Sequence, residues 1–501
     1  MKILKTGTRS WANKHETFTQ SLVDLYDIEN GQTGTPLEEY NSTTKGIQGL
    51  LADAVQTNTP LRALGAGWSF TQIAASSGIM LNTKLLNSLF TLSAPKVATS
   101  YPGDISRLLF VQSGNGIWEM EAYLKKNGLA LKGCGASNGQ TLAGALSTGT
   151  HGSAFNFGAT QDYVVGIHLI VSADRHVYLE RKSYPVVSDA FIKDIGAELL
   201  QDDDLFNAAL VSFGAFGFIH GLMIETEPIY LLECYRQRMP MDKSLTHVME
   251  TLDFSNIALP GGKEVPYHFG VLVNPYDVDG GAFVTAMYKR PYTTGYQPPQ
   301  NNTAGIGPGD DAPLFIGKLT QVLPALVPPL VTRLINTNYA PYPKQLGTLA
   351  EIFDNTDAYG KVLSAAIGMP LDQVTKVYQL AMDLNKAKGP FVGVLSFRFA
   401  KKSGATLAFT RYAPTCILEL DSVFSQETYD FYTAFWKELD RQKIPYTCHW
   451  GKINGLDATR MKKAYGASLD AWLAARNTLL TQPYQAIFNN DQMKQWGIGT
   501  P

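Results

Sequence analysis

Two glycine-rich segments of this chain have the composition that a diphosphate-binding backbone requires. The first is LRALGAGWSF, in which residues 65–69 predict a tight turn between a strand and a helix. The second covers residues 141–153 and consists mostly of Gly, Ala, Ser and Thr. Small residues let backbone N–H groups approach a diphosphate closely, because no bulky side chain intervenes. Each segment alone is also typical of an ordinary turn, but the two together indicate a phosphate-bearing ligand.

Two carboxylates in the C-terminal half are candidates for acid–base chemistry. The segment TCILELDSV has the composition of a strand, and alternation along a strand places Glu419 and Asp421 on one face. A base that removes a proton must lie within hydrogen-bond reach of it, which a shared face allows. A solvated strand face is the alternative interpretation of the same pattern.

The elements around these residues predict an α+β fold. In the first 230 residues, short β-branched or aromatic runs alternate with helical stretches and Gly-rich turns. At 501 residues the chain is longer than one hydrophobic core usually supports, so two domains are expected. The apolar segment 314–335 contains Pro324, Pro328 and Pro329, which predict that it is not one straight helix. It is either a hydrophobic lid or channel, or else part of the core of the second domain or a subunit contact.

Composition and charge exclude several classes of protein. The formal net charge is −2 and Lys and Arg form no basic run, so no nucleic-acid partner is expected. No stretch has the apolar length of a membrane span, and the N-terminus lacks the apolar core of a secretory signal, so we expect a cytoplasmic protein. The four cysteines are too widely spaced for a disulfide framework or a Cys-x-x-Cys metal pair. We therefore expect free thiols and no metal site.

The order of motifs along the chain resembles one flavoprotein family. LGAGWSF is followed by GQTLAGALSTGTHGS, then by GAFGF, and near the C-terminus by HWGK. This order is similar to that of the vanillyl-alcohol-oxidase, or PCMH-type, flavoproteins in their aldonolactone oxidase and alditol oxidase branch. The resemblance extends from SWANK to IFNND and is weakest in the middle of the chain. It implies a discontinuous FAD-binding domain, residues 1–232 and 449–501, around a substrate-binding cap with an antiparallel sheet, residues 233–448.

The resemblance assigns FAD-binding roles to residues of these motifs. In the family the first motif is a pyrophosphate loop, and the second lies over the flavin and its diphosphate. Carried over to this chain, the FAD-binding residues are Gly65, Ala66, Gly67, Trp68, Ser69, Phe70, Gly135, Ser137, Thr141, Gly144, Ser147, Gly149, Thr150, Gly152, Ser153, Gly217, Ile219 and Asn490.

One position in the first loop departs from the family pattern. Many relatives carry there a His that bonds covalently to the flavin, whereas this chain has Trp68. Indole cannot form that bond, so we expect FAD to be held without a covalent link. Cys134 is the alternative nucleophile. His151, in the second motif, is interpreted as structural.

The resemblance also implies the catalytic groups. Relatives of the alditol-oxidase kind present a Glu-x-Arg pair above the flavin ring, and in the matching LSFRF the Arg398 is retained while Ser396 replaces the carboxylate. We therefore expect Glu419 first, and Asp421 second, to act as the base. Arg398 and Lys452 would stabilise developing negative charge, and His449 would donate a hydrogen bond.

The activity predicted in this way is hydride transfer from a CH–OH group of a sugar lactone, alditol or other alcohol to the flavin, with molecular oxygen as acceptor. Gly135 falls where a small residue leaves oxygen room to react. Two alternatives are a biosynthetic flavoenzyme acting on a larger, more apolar substrate and a dehydrogenase using another acceptor. A flavin fold retained only for binding is a third.

Overall fold

The computed structural model describes residues 1–299, 327–354 and 361–499. These residues form a four-stranded, a six-stranded and an eight-stranded sheet with helices packed around them. The strands of the first two sheets end by Glu225, and those of the third begin at Tyr230. The predicted α+β class is confirmed, and the predicted domain boundary at 232/233 falls inside a strand of the third sheet.

The four-stranded sheet leads directly into the first glycine-rich loop. Its strands in spatial order are β1 (Lys2–Lys5), β4 (Asp24–Glu29), β6 (Ile79–Leu85) and β5 (Leu61–Leu64). Because β4, β6 and β5 are parallel, a crossover must connect β4 to β5, and helix α1 (Pro36–Gln56) provides it. A capping box between Thr35 and Glu38 satisfies the first N–H groups of this helix.

The six-stranded sheet forms the centre of the N-terminal part. Its strands in spatial order are β12 (Glu198–Gln201), β11 (His176–Glu180), β10 (Val164–Ile170), β13 (Phe218–Glu225), β8 (Leu108–Gln112) and β7 (Leu89–Thr91). The helices of this part are α2 (Ile117–Lys126), α3 (Leu142–Thr148), α4 (Asp189–Ile195) and α5 (Asp203–Leu210). Every residue of β8 and β10 is buried, which explains their continuous apolar composition.

Two short strand pairs complete the N-terminal part. They are β2 (Ser10–Ala12) with β3 (Thr19–Ser21), and β9 (Leu129–Ala130) with β14 (Glu227–Pro228). The turn between β2 and β3 carries His15, whose ring stacks on Phe70 of the first glycine-rich loop at a centroid distance of 4.2 Å. This turn therefore closes over that loop.

The eight-stranded sheet is antiparallel throughout, as the resemblance implied for the cap. Its strands in spatial order are β18 (Tyr342–Gly347), β15 (Tyr230–Met239), β17 (Ala282–Pro291), β16 (His268–Val273), β20 (Gly393–Ala400), β21 (Thr415–Val423), β19 (Val362–Pro370) and β22 (Thr447–Cys448). The helices of this part are α6 (Lys243–Thr251), α7 (Val327–Asn338), α8 (Leu349–Ile352), α9 (Val374–Lys388) and α10 (Gln426–Arg441).

Helix α7 covers the end of the apolar segment whose role the sequence left open. Pro328 and Pro329 lie in its first turn, where a missing N–H breaks no helical hydrogen bond. Val327, Val331 and Ile335 are buried against sheet residues such as Leu272. The buried face of residues 327–335 therefore packs on the eight-stranded sheet. Residues 314–326, with Pro324, lie outside the described residues.

The C-terminal helices return to the N-terminal part. They are α11 (Ala458–Tyr465), α12 (Ala467–Leu479), α13 (Gln482–Ile487) and α14 (Asp491–Gln495). Helix α12 packs against α5, and the indole N–H of Trp472 donates to the carbonyl of Val211 at 3.0 Å. The buried Arg62 of β5 donates to the Phe488 carbonyl at 2.6 Å. These contacts join the two ends of the chain around the first glycine-rich loop.

Candidate active site

One large cleft lies between the glycine-rich loops and the cap sheet. It holds about 1700 Å³ of atom-free space, its open mouth included. It is lined by residues of both glycine-rich segments, of the eight-stranded sheet and of the HWGK segment, so a ligand bound there would contact all of them. Its walls contain most of the predicted cofactor residues, namely Gly65, Ala66, Gly67, Trp68, Ser69, Phe70, Gly135, Ser137, Thr141, Gly144, Ser147, Thr150, Gly217 and Ile219.

Close packing between the two glycine-rich segments explains why they contain small residues. A Cβ added to Gly65 would overlap the side-chain oxygen of Thr141, which caps the N-terminus of α3. Gly67 has a φ of +70°, a conformation that other L-residues rarely adopt. The Phe70 amide donates to the Gly451 carbonyl at 2.7 Å, which ties the first loop to the HWGK segment. The cradle is thus held from both ends of the chain.

Four of the predicted cofactor residues do not line the cleft, and the structure gives each a different role. Gly149 ends α3 with a φ of +69°, and an added Cβ at Gly152 would overlap the Cys134 carbonyl. The Ser153 hydroxyl donates to the Phe269 carbonyl of the cap sheet. Asn490 caps α14 and donates its amide to three carbonyls near the first loop, that of Ile73 at 2.8 Å. These residues support the cleft from behind its wall.

The cap sheet contributes an ionised cluster to the same cleft. The register of β20 and β21 pairs Ser396 with Glu419 and places Arg398 two residues further along the neighbouring strand. Arg398 Nε lies 2.7 Å from Glu419 Oε2, and Lys452 Nζ forms an ion pair with Glu419 Oε1. The side chain of Glu419 is 2% exposed, whereas those of Arg398 and Lys452 are 12% and 16% exposed. The carboxylate is therefore more deeply buried than the two cations, and all three groups line the cleft.

Burial and charge move the pKa values of the two carboxylates of β21 in opposite directions. Burial acts to raise the pKa of Glu419, but Arg398, Lys452 and their neighbours together hold it well below its ordinary value. Burial raises the pKa of Asp421 to about 6. Asp421 Oδ1 accepts a hydrogen bond of 2.6 Å from the hydroxyl of Ser364, and Ser364 rather than Asp421 lines the cleft. The shared face predicted from alternation is observed, with Asp421 one layer further from the cleft.

Two histidines approach this cluster from different parts of the chain. His449 and His151 both line the cleft, with ring centroids 5.5 Å apart, and both pack against Phe409. His151 Nε2 lies 3.8 Å from Glu419 Oε1. Sequence reasoning treated His151 as structural, and its placement beside Glu419 is the main difference at the site. The imidazole among the small residues of GTHGS is the sequence feature that could have indicated a functional role for His151.

Three side chains near the first glycine-rich loop bear on whether the flavin could be bound covalently. Trp68 lines the cleft, whereas Cys134 is buried outside its wall, where desolvation raises the pKa of the thiol well above its ordinary value. His15 lines the cleft and makes an edge contact with Trp68 at 5.6 Å, and its Nδ1 is buried without a partner in the described residues. Burial lowers the pKa of His15 to about 4.

The wall of the cleft fits FAD. Ser113 and Gln140 line it, and the Ser113 hydroxyl and the Gln140 carbonyl oxygen have no hydrogen-bond partner within the described residues. Buried polar atoms normally have partners, so these atoms are available to a polar ligand. Together with the small-residue cradle, they suit a ribose and diphosphate. Fold and site thus define the class of the protein as a flavin-dependent oxidoreductase.

Comparison with known proteins agrees with this class. The family described as "FAD binding domain" matches residues 40–177. L-gulono-1,4-lactone dehydrogenase of Mycobacterium tuberculosis is 22% identical over 86% of this chain and 89% of its own length. D-arabinono-1,4-lactone oxidase of Debaryomyces hansenii is 32% identical over 27% of this chain and 21% of its own length. Cholesterol oxidase from Brevibacterium sterolicum shares the fold, with a TM-score of 0.69 and 13% identity over 99% of this chain and 97% of that chain.

These findings support an FAD-dependent oxidoreductase of the PCMH type, which the motif order implied. In the described part of the chain, no helix combines the length and apolar character needed to cross a membrane.

Proposed function

We propose that this protein oxidises a CH–OH group of a small, polar substrate such as an aldonolactone or polyol, with FAD held non-covalently and molecular oxygen as the acceptor. The observation that carries this proposal is the ionised cluster of Arg398, Glu419 and Lys452 in the cleft that fits FAD. When bound, FAD supplies the acceptor for the hydride of the substrate carbon. The residues of the chain must then bind the substrate and manage its hydroxyl proton.

The charge of the cluster suits an alcohol that becomes an alkoxide. Among the described contacts of this cluster, one carboxylate is paired with two cations. Charges interact more strongly at a partly buried wall than in bulk water, so Arg398 and Lys452 would stabilise an oxygen that loses its proton. Glu419 is already paired with both cations, which depress its pKa, so it is a weak proton acceptor. We assign it the role of holding the two cations in place, in revision of the expectation that it is the base.

The polarity of this end of the cleft favours a small, hydroxyl-rich substrate. Besides the ion cluster, the cap side of the wall presents the hydroxyl of Ser364 and the imidazole of His449. A polar group that binds a substrate hydroxyl also discriminates against analogues that lack it. The described end of the apolar segment gives no support to the alternative of a larger apolar substrate, since Val327, Val331 and Ile335 pack on the sheet. The relatives that act on lactones by name agree with the polar assignment.

Non-covalent attachment follows from the groups near the first loop. Indole at Trp68 is no nucleophile, and Cys134 lies outside the wall with its thiol held protonated. Acid precipitation of the purified protein should therefore release all the flavin into the supernatant. Flavin retained in the pellet would contradict the proposal and would direct attention to His15, the imidazole beside Trp68.

Oxygen is the proposed acceptor because Gly135 lines the cleft without a side chain. A Cβ added there would lie 2.9 Å from the Thr150 Cγ2, so the position is closely packed on one side. A cytoplasmic location would agree with the four cysteines, all of which are free and buried. Release of one hydrogen peroxide per substrate oxidised would support oxygen as the acceptor. Turnover with an artificial acceptor alone would favour a dehydrogenase.

The test of the activity is anaerobic flavin reduction by the purified holoenzyme, followed by absorbance. Aldonolactones and polyols should bleach the flavin, and a sterol should not. Lys452→Met should slow reduction by about 100-fold or more while FAD stays bound, as expected for loss of one charge-stabilising donor. Lys462→Met is the matched control, because Lys462 makes only an exposed ion pair with Asp470 among the described contacts. Absence of bleaching by every CH–OH compound would refute the proposed function.

A further inference from the structure

Backbone contacts hold the two histidines of the cleft in opposite protonation patterns. His151 Nδ1 lies 3.1 Å from the Gly152 carbonyl oxygen, and because a carbonyl only accepts, this nitrogen must carry the hydrogen. His449 Nδ1 accepts the amide N–H of Gly451 at 3.0 Å, so this nitrogen must carry the lone pair. In the neutral rings, His151 therefore presents a lone pair at Nε2 and His449 presents an N–H at Nε2.

Both rings are neutral at physiological pH because they are buried. Burial lowers the pKa of His151 to about 4, with Lys452 and Arg398 acting in the same direction and Glu419 opposing them. Burial likewise lowers the pKa of His449 well below its ordinary value, with His151 and Lys452 adding to the effect. The cleft thus contains one imidazole that can accept a proton and one that can donate a hydrogen bond.

We infer that His151 is the base that takes the hydroxyl proton of the substrate, and that His449 donates a hydrogen bond in the same pocket. The inference rests on the proposed oxidation of a CH–OH group. His151 Nε2 lies 3.8 Å from Glu419 Oε1, so it is next to the cations that would bind the substrate oxygen. No described residue forms a hydrogen bond with this nitrogen, which leaves it free for the substrate.

The other ionisable groups near the cluster are less suited to accept this proton. Glu419 is paired with two cations, and Lys452 as an ammonium has no lone pair. Asp421 lies behind Ser364. His15 lines the cleft in contact with Trp68 and Phe70, and the described contacts include no ion pair between it and Glu419. Among the described residues that line the cleft, His151 combines a free lone pair with contact to the ion cluster.

The step balances in atoms and charge. The O–H bond of the substrate breaks and its proton moves to His151 Nε2, while the C–H electron pair leaves with its hydrogen as hydride to FAD, and the C–O single bond becomes a C=O bond. Oxidation of the substrate by two electrons equals the reduction of FAD, and O₂ accepts those electrons afterwards. The new positive charge on His151 forms beside Glu419, whose carboxylate stabilises it.

The kinetic test uses His151→Asn in the FAD-loaded holoenzyme. The amide N–H₂ of Asn can replace the donor at Nδ1, so the contact with Gly152 is kept and only the Nε2 lone pair is lost. Anaerobic flavin reduction should slow by about 100- to 10,000-fold, the usual contribution of a general base. In the wild type the rate should fall as the pH drops through the His151 pKa of about 4, and this acidic limb should vanish in the variant.

Controls separate this assignment from the proposed function. His247→Asn changes an exposed histidine of α6 and should leave the rate and the pH profile unchanged. If His151→Asn fails to bind FAD, His151→Gln is the second variant. Lack of reduction in the wild type would overturn the proposed function, whereas equally fast reduction in wild type and His151→Asn would overturn only the assignment of the base.

A second readout does not depend on turnover. Nitrogen-15 NMR of histidine-labelled holoenzyme should show the hydrogen on Nδ1 in His151 and on Nε2 in His449, with the signals assigned through the variants His151→Asn and His449→Asn. Observation of the hydrogen on Nε2 of His151 would remove its lone pair from the cleft and would overturn the inference.

Discussion

The pairing of Glu419 with two cations makes a specific prediction about stability. Replacing Glu419 by Gln keeps the size of the side chain but removes the carboxylate with which Arg398 and Lys452 pair. Breaking a buried ion pair by removing one partner costs about 3–5 kcal/mol, because the remaining charge stays buried. Since both cations reach the cleft, we expect the lower end of this range for Glu419→Gln. A loss of about 3 kcal/mol is a large part of a total stability of about 5–15 kcal/mol.

Asp421→Asn is the matched control on the same strand face. Burial raises the pKa of Asp421, so its charged form is disfavoured in the folded protein, and an amide oxygen can still accept from Ser364. This variant should be neutral or slightly stabilising at pH 7. Urea unfolding of the holoenzyme with excess FAD, followed by tryptophan fluorescence, measures both variants.

The contribution of the Glu419 carboxylate to stability should also depend on pH. The folded-state pKa of Glu419 is depressed, so its contribution to stability is present above the ordinary Glu pKa of about 4.3 and is lost as the pH falls below it. The stability gap between wild type and Glu419→Gln should therefore be constant from pH 8 to about 5 and shrink below about 4.3. A gap no larger than that of Asp421→Asn, or one unchanged by acid, would refute the electrostatic argument.

Two further predictions concern the cradle and its support. Gly65→Ala should weaken FAD binding by about tenfold or more, because the new methyl group would overlap Thr141. Titration of the protein with FAD measures this affinity. Gly49→Ala is the control, because Gly49 is an open helical position in α1, and it should leave FAD binding unchanged. Asn490→Ala should lower the free energy of unfolding by about 1–2 kcal/mol through loss of the cap of α14, and the affinity for FAD should not change. A large loss of FAD affinity without loss of stability would instead make Asn490 a ligand of the cofactor.

The class of the protein was implied by the resemblance of its motif order to a flavoprotein family, whereas the small residues that line the cleft could be recognised from local properties. Small residues in residues 65–69 and 141–153 allow close backbone packing wherever those segments lie, and Gly67 and Gly149 adopt the positive φ angles that glycine favours. Alternation along β21 likewise predicted that Glu419 and Asp421 share a face. Such features can be predicted from the sequence because they depend only on the geometry of a short stretch of chain.

The roles of individual side chains depended on the tertiary structure, because burial and charge partners come from distant segments. Glu419 has the sequence context of a free carboxylate, yet β20 supplies Arg398 and the HWGK segment supplies Lys452, and together they keep it ionised and occupied. His151 gains its position beside Glu419 only when the second loop meets the cap sheet. A desolvated group takes its protonation state from whichever atoms surround it, and no local pattern encodes those atoms.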